Sequence, residues 1–387
     1  MVLLIGDHML DIAGYLRGYL DRSSFIEEHY VDPRNTEMVF PPKKRNLITI
    51  YLESMESTVQ DTASGGLLEQ NFIPELTRLA QENTSFSHSE KLEGARVAPA
   101  CDWTIAGLVA QTAGVPFKLH GTRGDMHEAF LPGVFSLGDI LSEQGYRTMF
   151  MAGSDFSFGG RRAYYTQHGG YEIYDLLTAR QKGKVPEDYS VFWGFEDFRL
   201  YEYAKEELTA LHADGEPFHF SMLTVDTHNP GYRCPLCPTD NLNTGRDVLN
   251  YVDVLRCASM QLEAFIAWCQ EQPFFENTTI VVTGDHESMQ SFFFENLVGA
   301  EGKRYVYNAF INPAQEPVRE KNRQFTTMDF FPTVLGSIGV QIQGGRLGLG
   351  TDLFSGQETL SEAYGEAFLF DELSKHSTFY DDVLLYP

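Results

Sequence analysis

Basic residues are scarce in this chain. Its 29 Lys and Arg stand against 54 Asp and Glu, which leaves a net charge of −25. That deficit excludes nucleic acid as a partner, because neutralising phosphates takes clustered Lys and Arg. It also works against charge-driven adsorption to an anionic membrane. Long apolar runs are missing as well: no stretch approaches the roughly 18 residues that a membrane-spanning helix needs. Residues 1–6 are too short for the apolar core of a signal peptide. The expectation is a soluble chain, or the outer part of a protein whose membrane helices lie outside it. Internal repeats and low-complexity tracts are absent too.

Cysteine is sparse and odd in number, at 5. Cys234 and Cys237 have the spacing of a metal knuckle or a redox pair. A zinc ribbon needs a second such pair, which the chain lacks, and a thioredoxin-type motif belongs to a much smaller domain. A structural disulfide from this loop to Cys257 is therefore expected, and with it an oxidising compartment. Cys101 is expected to be buried or bridged.

Apolar residues make up 43% of the 387 residues, enough for a full core. Residues 1–45 read as a helical, charged connector, amphipathic over 10–20 and polar and extended over 33–44. Residues 46–387 read as one catalytic domain. Residues 46–52 form a nearly continuous apolar run, as expected of a strand buried on both faces. Further strands are expected at 84–88, 146–152, 217–225, 278–283 and 305–312. Helices are expected at 71–83, 104–113, 134–145, 196–212, 248–272 and 326–339. Strands alternating with helices imply right-handed crossovers and an α/β fold, with a mainly parallel central sheet and helices on both faces.

Polar residues collect where these strands end. Glu53 follows the first, Asp155 the next, then Asp226 with His228, then Asp285 with His286. Acids favour turns, so one such residue means little. Four strands in turn, two with a histidine in the same loop, point to a site beyond the carboxyl ends of the sheet. Asp285 and His286, adjacent on a rigid strand exit, can reach one metal. Glu53 offers a third ligand, and Thr104, where a loop gives way to an apolar helix, a fourth. A metal-bound hydroxyl has a lowered pKa and becomes a usable nucleophile. The helix N-terminus favours its anionic form and a bound phosphate. Three oxygens and one nitrogen suit one divalent cation, Mn²⁺ or Mg²⁺, with Zn²⁺ as a further option.

His228 is a candidate acid and base or phosphoryl hydrogen-bond donor. Alternatively it binds a second metal with Asp226. Arg161 and Arg162 follow a Gly-rich loop, and a guanidinium there suits phosphate. Trp193, Gly194 and His120 are candidates for facing the substrate, although core packing is the expectation for Trp193. Sulfatases make their aldehyde nucleophile from Cys-x-Pro-x-Arg; Cys101 has neither the Pro nor the Arg after it.

These motifs in this order resemble the phosphoglycerol transferases of the alkaline phosphatase and sulfatase superfamily, a group that includes lipoteichoic acid synthase and phosphoglycerol transferase I. The resemblance spans roughly residues 46–356. It rests on Tyr51-Leu52-Glu53-Ser54, on the run from Cys101 to Gly107 (Cys-Asp-Trp-Thr-Ile-Ala-Gly), on Thr224-Val225-Asp226-Thr227-His228, on Gly284-Asp285-His286 and on Leu347-Gly348-Leu349-Gly350. The second, third and last of these runs look closer to phosphoglycerol transferase I, and enzymes that put glycerol phosphate on a cell-wall glycan also look similar. The resemblance implies one divalent metal, usually Mn²⁺, on Glu53, Thr104, Asp285 and His286. It implies Thr104 as nucleophile, and Asp155, Arg162 and His228 as contacts to the glycerol phosphate. It departs at Gly160, where lipoteichoic acid synthases carry a Trp.

The function implied is transfer of glycerol phosphate from a phosphatidylglycerol donor to a cell-envelope glycan or polyol-phosphate acceptor, through a covalent intermediate on Thr104. The place implied is the outer face of the cytoplasmic membrane, reached through helices not present in this chain. The alternatives are a metal-dependent phosphodiesterase or phosphatase that uses water, and a non-catalytic polymer-binding module on the same fold.

Overall fold

The structure is a computed structural model and describes residues 21–118, 128–240, 247–295 and 302–387. Residues 10–20 of the expected connector and His120 lie outside the described residues.

A six-stranded sheet organises the chain. Its strands are β1 (Asn46–Leu52), β2 (Arg147–Ala152), β3 (Glu172–Tyr174), β4 (Phe218–Leu223), β5 (Thr278–Gly284) and β6 (Asn308–Ile311). They lie in the order β3-β2-β4-β1-β5-β6. Every pairing is parallel except β5 with β6, which is antiparallel and closes one edge. Central β1 is buried along its whole length, which accounts for its unbroken apolar run.

Side chains alternate across the sheet. Ile48, Ile50 and Leu52 face one core, with α1 (Pro74–Glu82), α5 (Asp197–Ala213) and α6 (Asp247–Gln270) packed over it. Leu47 and Tyr51 face the other way, toward α2 (Thr104–Ala113), α3 (Leu137–Glu143), α4 (Arg161–Gln167) and α7 (Phe330–Ser337). The expected α/β architecture is therefore what forms. The parallel strands β1, β2, β4 and β5 all point their carboxyl ends the same way, so the loops after them share one rim of the sheet. Among the described residues, no helix is long and apolar enough to cross a membrane.

Several local expectations are corrected. Residues 84–88 are not a strand; only Thr84 bridges Phe310. The Asn308 side chain accepts from the Phe86 amide at 2.9 Å and donates to the Phe86 carbonyl at 2.9 Å, in place of a neighbouring backbone. The strand expected at 305–312 shrinks to β6, because Val306 is drawn off to bridge Glu56 and Ala95. The helix expected at 326–339 opens with a 3₁₀ turn, Thr327–Asp329, before α7. The short β3 and α4 carry too few residues for a periodicity signal. Of residues 33–44, Pro33–Asn35 form a 3₁₀ turn and Met38–Val39 pair with Gln341–Ile342.

One glycine fixes how α2 meets the sheet. A Cβ on Gly107, in α2, would lie 2.2 Å from the Asp285 carbonyl oxygen. Gln111, one turn on, donates to the Gly284 and Asp285 carbonyls at 2.9 and 3.2 Å. The helix therefore rides directly on the loop after β5. Gly107→Ala is expected to destabilise the fold by about 1–3 kcal/mol through overpacking, read as a shift in the urea midpoint.

Candidate active site

β1, β5 and α2 bring four predicted side chains to one point. Glu53 leaves β1, Asp285 and His286 leave β5, and Thr104 opens α2. Thr104 Oγ1 lies 3.3 Å from Glu53 Oε2 and 3.4 Å from His286 Nε2. His286 Nε2 lies 3.3 Å from Glu53 Oε1 and 3.4 Å from Asp285 Oδ2. Glu53, Asp285 and His286 are all buried, and each offers a ligand atom within 4.8 Å of the others.

The backbone is arranged to hold these groups. Asp285 Oδ1 accepts from the amides of Ser54, at 2.7 Å, and His286, at 2.9 Å. Reaching Asp285 puts Ser54 at a φ of 55°, a left-handed conformation that costs a non-glycine residue energy. His286 Nδ1 donates to the Glu287 carbonyl at 2.7 Å, which turns Nε2 toward Glu53, Asp285 and Thr104. The Glu53 amide donates to Thr224 Oγ1 at 3.0 Å, and Thr227 Oγ1 donates to the Glu53 carbonyl, so the β1 and β4 loops are tied together.

Burial and mutual charge perturb all three groups. Burial and the Glu53 charge push the Asp285 carboxyl well above the usual range. Burial opposes ionisation of Glu53 too, but the hydrogen bond and charge of His286 hold its pKa low. Burial also works against a charged His286, yet Asp285 and Glu53 raise its pKa to about 10. Asp285 Oδ2 is buried without a hydrogen-bond partner. A buried carboxylate oxygen that makes no hydrogen bond, beside a second carboxylate and an imidazole nitrogen, is a donor set that fits a hard or borderline divalent ion once the imidazole gives up its proton.

A cavity of about 290 Å³ opens onto Thr104 and Glu53, with Trp103, Phe158, Arg161, Trp193 and His228 among its walls. His228 Nδ1 lies 3.0 Å from the Asn229 carbonyl, and its ring sits edge-on to Trp193 at 4.8 Å. Trp193, expected in the core, is instead 38% exposed at this mouth. Phe158 and Met289, which carried no signal in the sequence, also line it.

The two arginines part company. Arg161 is buried and lines the cavity, its guanidinium held by the carbonyls of Phe158, at 3.1 Å, and Asp155, at 2.9 Å. Arg162 turns to Asp175, with N to O at 2.5 Å, and does not line the cavity. Asp155 Oδ1 accepts from the Ser157 amide and hydroxyl, both at 2.8 Å. Arg161 thus lines the cavity together with Thr104, whereas Arg162 and Asp155 are not among its lining residues.

Asp226 does not pair with His228. It accepts from the Asp197 amide at 3.3 Å, while the Asp197 carboxylate takes the amides of Val225, at 2.7 Å, and Asp226, at 3.0 Å. Each acid thereby caps the other's chain, and the pair fixes the loop bearing His228. Burial and mutual charge raise the pKa of Asp226, and burial, against its amide hydrogen bonds, raises that of Asp197. Raised carboxyl pKa values mean stability that is complete below the unfolded value of about 4 and lost as pH rises through the folded values. Asp226→Asn is therefore expected to flatten the fall in melting temperature between about pH 5 and about pH 9, measured by thermal denaturation across that range.

The disulfide joins Cys237 to Cys257, with the Cα atoms 4.8 Å apart. Cys234 is a buried free thiol beside it, and Cys101 is buried and free.

A mainly parallel sheet with acids at its strand ends and a helix-borne hydroxyl agrees with the expected alkaline phosphatase and sulfatase class, which the comparisons show. The sulfatase family model matches residues 45–340, and the chain belongs to the sulfatase family. It is 31% identical over 344 residues to phosphoglycerol transferase I of Salmonella choleraesuis (strain SC-B67), a match covering 87% of this chain and 42% of that protein. The chain thus spans less than half the length of this relative. The lipoteichoic acid synthase LtaP from Listeria monocytogenes has the same fold, with a TM-score of 0.64 and 19% identity over 86% of this chain and 80% of that one. So does the C-terminal periplasmic domain of EcEptC from Escherichia coli in complex with Zn, with a TM-score of 0.56 and 13% identity over 82% and 89%.

Proposed function

We propose that this domain is a divalent-metal phosphotransferase that moves glycerol phosphate from phosphatidylglycerol to a cell-envelope glycan. The observation carrying this reading is the position of Thr104 Oγ1, within 3.4 Å of both Glu53 and His286, at the floor of the cavity. Glu53, Asp285, His286 and Thr104 would hold the ion, with Mn²⁺ favoured by the oxygen-rich donor set and by the family resemblance. Bound there, it supplies positive charge that lowers the pKa of the Thr104 hydroxyl and offsets charge on the phosphoryl oxygens.

The chain's own groups do the rest. Thr104, ionised with its proton lost to solvent, attacks phosphorus through Oγ, and the bond to the diacylglycerol oxygen breaks. His228 protonates that leaving alkoxide, and a phosphoglyceryl-threonine remains. A glycan hydroxyl then gives its proton to His228 and attacks the same phosphorus, which frees Thr104. Arg161 faces the phosphoryl oxygens from the cavity wall, an assignment favoured over Arg162 by the pairing of the latter with Asp175. A relative named phosphoglycerol transferase I, 31% identical, supports the transferred group. The working place would be the outer face of the cytoplasmic membrane, where the donor lipid and the glycan meet.

Water as the acceptor is the competing chemistry on the same residues. Product analysis separates them: with head-group-labelled phosphatidylglycerol, label should move onto the glycan in proportion to glycan added. Constant release of free glycerol phosphate, with no label on glycan, would make the domain a phosphodiesterase.

A further inference from the structure

The residue after Glu287 is gripped from both sides by an ion pair that touches neither cavity nor ligand atoms. The Ser288 amide donates to Glu56 Oε1 at 2.9 Å, and the Ser288 carbonyl accepts from Arg304 Nη2 at 2.7 Å. Glu56 and Arg304 are themselves joined, with Arg304 Nε donating to Glu56 Oε2 at 2.9 Å and Nη2 to Glu56 Oε1. Glu56 is 1% exposed. The neighbouring Glu287 carboxylate lies between two guanidiniums, 3.4 Å from Arg96 and 3.9 Å from Arg304. Glu287 is the residue whose carbonyl orients His286 through Nδ1. The peptide unit that sets the tautomer and tilt of His286 is thus held at its amide by Glu56, and Arg304 holds both Glu56 and the next carbonyl.

A second link runs sideways. Ser288 Oγ lies 3.1 Å from the Tyr251 hydroxyl, which also donates to the Thr227 carbonyl at 3.0 Å. Thr227 is adjacent to His228 and bonded to the Glu53 backbone. Holding Ser288 therefore keeps the His286, His228 and Glu53 loops in one register. A buried ion pair costs desolvation and is weak evidence for stability. Its placement around one backbone unit of a ligand loop gives it another use.

We infer that Glu56 and Arg304 are positioning residues for the cation: they hold the Ser288 peptide so that His286 Nε2 faces Glu53, Asp285 and Thr104. This rests on the metal reading of the site, but not on the transferred group or the acceptor. Outer partners of metal ligands typically carry about 10–100-fold in metal affinity. Glu56→Ala removes the acceptor for the Ser288 amide. Glu56→Gln keeps an amide oxygen there and loses only the charge.

The test is Mn²⁺ titration of the purified domain by calorimetry, with Mn²⁺-induced thermal shift as a second readout. Glu56→Ala is expected to weaken Mn²⁺ binding by about 10–100-fold, with Glu56→Gln in between. Turnover of an aryl phosphodiester by Glu56→Ala should recover to within about twofold of wild type at saturating Mn²⁺, because the ligands are intact. Should Glu56→Ala fail to fold, Arg304→Ala reads the same grip from the carbonyl side and is expected to weaken binding likewise. Affinity within about twofold of wild type in a folded variant would overturn the inference alone. Wild-type protein that binds no Mn²⁺ would overturn it together with the metal reading.

Discussion

Thr104→Ala is expected to fold as the parent does and to lose transfer by on the order of 10⁴-fold or more, the scale of removing a covalent nucleophile. The two halves of that outcome have separate causes. Alanine is the best helix former, so the first turn of α2 keeps its backbone. The helix is otherwise held by its buried apolar residues and by Gln111. What disappears is one oxygen, the hydroxyl lining the cavity that reaches both Glu53 and His286. Near-UV circular dichroism with head-group release from labelled phosphatidylglycerol reads both halves. Folded protein with parental turnover would remove Thr104 from the chemistry.

Asp285→Asn is expected to move stability and activity in opposite directions. Asp285 is fully buried, and its Oδ1 already takes two backbone amides. Asparagine keeps that acceptor and removes a buried charge that sits beside Glu53, on a carboxylate whose other oxygen makes no hydrogen bond. The metal-free variant should therefore melt at or above the metal-free parent near neutral pH. The raised Asp285 pKa gives the same sign: its contribution is full below about pH 4 and is lost as pH climbs through the raised folded value. The variant lacks that loss. With Mn²⁺ the order reverses. An ion at a hundred times its Kd stabilises the parent by about 2.7 kcal/mol, and the variant should show little of this. Activity should drop by about 10²–10³-fold or more, the share of one preorganised electrostatic group. Chelation of the parent should copy the activity loss, and added Mn²⁺ should reverse it. Differential scanning calorimetry with and without Mn²⁺ checks the reversal.

Much of this arrangement was legible in the sequence for a physical reason. A buried parallel strand announces itself as an apolar run, and the acid that stops it marks the rim where ligands bind. Glu53, Asp285 and His286 needed no more than that, and Thr104 needed only the apolar helix behind it. The arginines are a different matter. Consecutive helical residues point about 100° apart, so only one of Arg161 and Arg162 can face the cavity. Which one depends on the phase of α4, set by Gly159 and Gly160 at φ of 67° and 77°. Two left-handed glycines in a row leave no periodic trace. Trp193 was misjudged because aromatic burial is the usual rule, and its exposure depends on a loop that meets the cavity far from its own neighbours in sequence. Of the Cys234 and Cys237 pair, only three-dimensional placement says which reaches Cys257. Residues 84–88 alternate like a strand, yet the Asn308 side chain takes the place of a pairing strand.

The covalent role of Thr104 is the claim on which the mechanism turns. Its most direct test is to incubate the Mn²⁺-loaded domain with phosphatidylglycerol labelled in the head-group glycerol, without acceptor, then quench in acid and map the label by peptide mass spectrometry. The account predicts glycerol phosphate bound covalently to the peptide carrying Thr104, and its loss when glycan is added before the quench. Label found only as free glycerol phosphate, or on a peptide without Thr104, would contradict it.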